Sequence, residues 1–174
     1  MEKLQPEQLL ARLIQGVADP VPAPPRRSES EPADVQHTNV QHWTAPVLLE
    51  RCAWLRKMAR AGEGWASDTI REYPGHQAAL VVRLRNSSVE MLDGIAQMIH
   101  VLEGRATMVT GGTIERPRKT APGETTGASI QGGAQQEVRA GDVIHIAGSV
   151  PVQFLVPNEK PFSCLILRVP EPTA

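Results

Sequence analysis

Hydrophobic positions change their spacing several times along this chain. Over residues 1–18, Leu4, Leu9, Leu10, Leu13, Ile14 and Val17 recur mostly at three- and four-residue intervals on a polar background. That spacing predicts a short amphipathic helix, interrupted early by Pro6. Residues 19–41 lose the pattern, and Pro20, Pro22, Pro24, Pro25 and Pro32 stand among Arg26, Arg27, Glu29 and Glu31. Such a composition forms an extended, semi-rigid linker rather than a packed element. A second helix is predicted from Thr44, a good N-cap, with Pro46 in the first turn where its missing N–H does no harm. Leu48, Leu49, Cys52, Leu55 and Met58 make its apolar stripe, and Gly62 and Gly64 end it. Residues 42–66 are thus expected to form a helix that packs on the remainder of the chain.

From about Thr69 the period shortens. Apolar or alternating runs occur at Ala78–Arg85, Ala96–Glu103, Arg105–Thr110, Val143–Ile146, Val152–Val156 and Ser163–Val169. Turn signals separate them: Asn86-Ser87, Gly111-Gly112, Pro122-Gly123, Gly132-Gly133, Gly141-Asp142 and Pro157-Asn158. Many short strands with such punctuation predict an antiparallel sandwich or barrel, between which periodicity does not choose.

The motifs do choose. Val101-Leu102-Glu103-Gly104, followed by Arg105–Thr110 and Gly111-Gly112, resembles the end of the first cupin motif. Gly141-Asp142-Val143-Ile144-His145-Ile146, followed by Pro151, resembles the second. Between them, Pro122-Gly123-Glu124, Ser129-Ile130 and Gly132-Gly133 are similar to a single-domain bacterial subfamily of the cupin superfamily, as are the helix from Thr44 and the strand carrying Arg83. The similarity spans roughly residues 42–170. It implies an all-β fold, an antiparallel double-stranded β-helix (the cupin or jelly-roll barrel) over residues 67–174, with an N-terminal helical extension. It also implies a homodimer, an arrangement that would cover long outer strands.

In metal-binding cupins the first motif supplies two histidines and an acidic residue, and the second supplies another histidine. Counted back from Gly104, the first three positions are Glu90, Leu92 and Gln97 here; counted on from Gly141 through Pro151, the last is Val152. The Pro-x-Gly turn of the second motif has become Ala147-Gly148-Ser149. A one-residue shift brings in Met91 or Asp93 but no histidine. Leucine and valine cannot ligate, and a neutral amide is a weak ligand for a transition metal. The expectation is a degenerate site with no metal and no other cofactor.

A ligand pocket is expected at Glu90, Leu92, Gln97, Val152 and Gln153, with Arg83 on a neighbouring strand. Glu90 reads in two ways. It is a catalytic base or ligand anchor among apolar side chains, with Gln97 and Gln153 orienting the bound molecule, or it pairs with Arg83 or Arg85 and fills a dead site. His100 falls opposite Gln97, Ile99 and Val101 by strand alternation, and His145 reads as structural. Residues 111–133 carry Glu115, Arg116, Arg118, Lys119 and Glu124 outside any strand pattern, as a lid over the barrel mouth or a solvated loop. No phosphate-cradling glycine spacing occurs there.

Composition narrows the function classes. A net charge of −1 and six aromatic residues (three Trp, one Tyr, two Phe) argue against nucleic-acid binding. No secretory signal or membrane-length apolar run is visible, and Cys52 and Cys164 lack ligand spacing, so a reducing cytoplasm is expected. The reading is a metal-independent cupin that binds a small organic molecule in its barrel; as an enzyme it would be a cofactor-free isomerase, cyclase or dehydratase. The alternative is a non-enzymatic regulatory protein whose residues 1–18 dock on a protein partner, on their own barrel or on a second subunit.

Overall fold

The computed structural model describes residues 40–157 and 160–171. The helix expected over residues 1–18 and the linker as far as residue 39 lie outside the described residues. Thr44, in extended backbone, opens helix α1 (Ala45–Ala61), with Pro46 in its first turn. Its buried side chains are Leu48, Cys52, Leu55 and Ala59, a single face at four-, three- and four-residue spacing. Leu49, expected in that stripe, is 41% exposed. It lies about 100° round the helix from Leu48, so only one of the two can face the sheet.

Thirteen strands follow: β1 (Trp65–Tyr73), β2 (His76–Arg83), β3 (Val89–Leu92), β4 (Ile95–Glu103), β5 (Arg105–Thr110), β6 (Thr113–Glu115), β7 (Arg118–Ala121), β8 (Glu124–Gly127), β9 (Ser129–Gln131), β10 (Ala134–Arg139), β11 (Val143–Ile146), β12 (Val152–Leu155) and β13 (Phe162–Pro170). The barrel begins at Trp65, two residues inside the segment assigned to the helical extension. The supposed loop of residues 111–133 is built largely of β6 to β9. Those strands are three or four residues long and mostly polar, too short to show an alternating period.

All pairings among the described residues are antiparallel and form two main sheets, ordered β1-β2-β13-β4-β11 and β10-β5-β12-β3-β8-β7, plus the two-stranded sheet β6-β9. β13 lies between β2 and β4, and β12 between β5 and β3, so late strands insert between early ones and wind the chain into a double-stranded β-helix. The barrel core joins Val81, Ile99, Val101, Met108, Val152, Phe154, Phe162, Cys164 and Ile166 between the sheets. A second cluster sets Leu48, Cys52 and Leu55 of α1 against Leu80 and Val82 on the outer face of the first sheet. β2 is therefore covered on both faces, which explains its unbroken apolar run from Ala78 to Val82. Ion pairs Arg51–Asp68 and Arg56–Glu103 fasten α1 to the strands beneath it.

Gly104, between β4 and β5, has φ 81°, and a Cβ there would collide with the Pro161 carbonyl. Gly75, in the β1–β2 turn, has φ 89° with open space around it. Gly75→Ala is expected to cost about 1 kcal/mol from backbone strain alone. Gly104→Ala should cost at least twice that, about 2–4 kcal/mol, because the neighbouring backbone must also move. Urea unfolding of the two variants measures the difference.

Candidate functional site

Strand register gathers the positions counted from Gly104 and Gly141 into one layer. Val152 on β12 pairs with Glu90 on β3, and Leu92, two residues on, shares Glu90's face. From the opposite sheet, Gln97 on β4 stands between Ile146 of β11 and Arg168 of β13. The sheets meet through polar contacts: Gln97 Nε2 donates to Glu90 Oε2 at 3.4 Å, and Arg168 Nη2 donates to Glu90 Oε1 at 2.9 Å. The paired side chains are 18% (Arg168) and 24% (Glu90) exposed, while Leu92, Gln97 and Val152 are buried.

Arg168 was not among the expected residues, and it replaces Arg83 and Arg85 as the partner of Glu90. Its signal lay in the β13 sequence, where Cys164, Ile166 and Arg168 alternate onto the inner face and put one cation in an apolar row. Arg83 belongs to the other end of the barrel. On β2 the residue level with Arg168 is Gln77, and Arg83 lies six residues further, roughly 20 Å along the strand. There its guanidinium sits over the Phe154 ring, 5.5 Å from the centroid. Gln153 also leaves the expected pocket. It is adjacent to Val152 and so faces the other side of β12, where its amide donates to the carbonyls of Ser87 (2.8 Å) and Ala128 (3.1 Å).

The layer does not fit a divalent metal. Leu92 and Val152 offer no donor atoms, and both oxygens of Glu90 are already engaged by Arg168 and Gln97. Among the described residues no group of three or more His, Cys, Asp or Glu side chains could hold a metal ion. The cation beside Glu90 is a guanidinium tethered to β13. His100 and His145 are both exposed, on the outer face of the first sheet.

Two openings flank the layer, and none of the six expected ligand-binding residues lines either. One is a cleft of about 510 Å³ whose walls include Met108, Thr110, Ile144, His145, Ile146 and Val150. It adjoins the layer through the cross-strand pairs Thr110–Val152 and Ile146–Gln97. The other is a groove of about 350 Å³ that includes Thr126, the cross-strand neighbour of Glu90 on the far side. His145 belongs to the β11 segment at the edge of the first cleft, with its side chain on the outer face.

No family model and no curated protein matches the chain. Solved structures do. Salicylate 1,2-dioxygenase from Pseudoaminobacter salicylatoxidans aligns with TM-score 0.50 at 12% identity, over 70% of this chain and 31% of that one. TT1209 from Thermus thermophilus aligns with TM-score 0.48 at 16% identity, over 68% of this chain and 95% of that one. Rru_A2000 from Rhodospirillum rubrum, a cupin-2 domain, aligns with TM-score 0.45 at 16% identity, over 64% of this chain and 63% of that one. At these identities the likeness is one of fold. With the sheet order above, the chain has a double-stranded β-helix fold. Among the described residues no helix is long and apolar enough to cross a membrane.

Arg168→Met is expected to destabilise the protein by about 2–3 kcal/mol, because it strands the Glu90 carboxylate in a largely buried layer. The double variant Glu90→Gln, Arg168→Met should recover most of that loss in a double-mutant cycle, since no charge is then left unpaired. Cys52 and Cys164 are free and buried, and burial pushes both thiols up to about 11. Native protein should therefore leave Ellman's reagent unreacted at pH 8, and unfolded protein should release two equivalents. A thiol pKa raised on folding stabilises below the unfolded value of 9.0, so these two contributions should fade between pH 9 and about pH 11.

Proposed function

We propose that this is a metal-independent cupin-fold protein that binds a small organic molecule at the barrel mouth. The observation that supports this reading is the cleft of about 510 Å³ directly beside the Glu90–Arg168–Gln97 layer. Its size is that of small-molecule sites, and its walls expose polar and apolar surface in similar amounts. Met108, Ile144, Ile146 and Val150 would take the apolar body of the ligand and Thr110 and Gln136 its polar end, with Gln97 and Arg168 behind the cleft wall rather than on it. Arg168 Nε is buried and has no acceptor among the described residues. A buried donor left in that state costs free energy, and a ligand oxygen would recover it.

In this reading Glu90 is an anchor rather than a base, because Arg168 and Gln97 already hold both its oxygens. Its role is to aim the guanidinium. His145 lies on β11 at the edge of the cleft with its side chain on the outer face of the sheet, so this reading assigns the cleft binding and no proton transfer.

A thermal-shift screen with a library of small carboxylic acids, ketones and phenols tests the proposal on wild type, Thr110→Trp and Glu90→Gln. Hits held at a hundred times their Kd should stabilise the wild type by about 2.7 kcal/mol. Filling the cleft with Thr110→Trp should remove that response, and Glu90→Gln should weaken it by misaligning Arg168. No hit on the wild type, or equal responses from all three proteins, would contradict the proposal.

A further inference from the structure

We infer that the groove between β7, β8 and the start of β3 is an anion-binding site for a phosphate or carboxylate group. The groove, about 350 Å³, is lined by Ser88, Arg116, Arg118, Thr126, Gly127 and Ala128. Two arginines therefore border one concave surface, and no carboxylate residue lines it. Neither arginine makes an ion pair among the described residues, whose ion pairs are Arg51–Asp68, Arg56–Glu103 and Arg168–Glu90.

The nearby acids form no ion pair with them among the described residues, although the Ser129 and Gln131 hydrogen bonds, with help from the Arg116 charge, hold the Glu115 carboxyl below its ordinary range. Glu115, next to Arg116 in sequence, accepts hydrogen bonds from Ser129 and Gln131. Glu124, two residues before Thr126 on β8, is absent from the lining and from those ion pairs. Arg118 pairs across the strands with Thr126, so both side chains stand on one face of the sheet. The Thr126 hydroxyl donates to the Arg118 carbonyl, which leaves Ser88 as the hydroxyl donor free for a ligand.

Backbone conformation points the same way. Arg116 (φ 51°) and Ser149 are the non-glycine residues with positive φ among those described. The left-handed region disfavours long side chains, and glycine or asparagine is the ordinary choice there. A charged residue is held at Arg116 in spite of that. Arginine's planar fork matches the paired oxygens of a phosphate or carboxylate, and two such forks at one groove make an oxyanion clamp. The clamp shares no residue with the cleft beside Ile146, so it stands apart from the small-molecule reading above.

Calorimetric titration of the full chain with inorganic phosphate, and separately with acetate, at low ionic strength provides the test. Saturable binding is expected for at least one of the two anions, and the tighter one identifies the group the site takes. Arg116→Gln and Arg118→Gln should each lower the affinity about tenfold, the loss of a charge-assisted contact. Thr110→Trp, which fills the other cleft, should leave it unchanged. An absence of saturable binding of either anion to the wild type, or an affinity within twofold of wild type in both arginine variants, would overturn the inference.

Discussion

A carboxylate that faces the inside of a β-barrel needs a counter-charge, and most of this site follows from how Glu90 obtains one. An isolated buried carboxylate is too costly to keep charged. A bound metal ion would meet the need in a cupin barrel with a full ligand set. In this chain Arg168 meets it from the opposite sheet at 2.9 Å. The guanidinium needs no ligand set of its own, so Leu92 and Val152 can be purely apolar and pack the layer shut. Gln97 then serves to orient the second oxygen of Glu90. Space for a ligand moves outward, to the cleft beside Ile146 and the groove beside Thr126.

The fold was largely legible because its signals are local. Thr44, Pro46 and Gly62 bracket α1, and runs such as Arg105–Thr110 and Val143–Ile146 coincide with β5 and β11. Counting from Gly104 and Gly141 also worked, since strand geometry converts sequence spacing directly into position. Glu90, Gln97 and Val152 do share one layer. What escaped was non-local or fell below the length at which a pattern shows. Arg168 is 78 residues from Glu90, and only the insertion of β13 between β2 and β4 brings them together. Arg83 is on the right sheet but at the wrong height, which a sequence without register cannot reveal. Gln153 was misplaced by a single residue, enough in a strand to reverse the face.

The same geometry separates the scaffold from the layer around Glu90. The inner core from Val81 to Ile166 and the helix packing on Leu80 and Val82 owe nothing to the motif layer. That layer can therefore carry an ion pair without loss of the scaffold. A fixed guanidinium would favour oxygen acceptors on any ligand, where an open metal site would accept a wider set of donors.

Metal analysis of the purified protein, after incubation with manganese, iron, nickel or zinc and removal of the unbound ion, tests the tethered-cation account most directly. The account predicts that Glu90→Gln does not alter the metal content, because the Glu90 layer binds none. One equivalent of metal per chain, lost in Glu90→Gln, would contradict it.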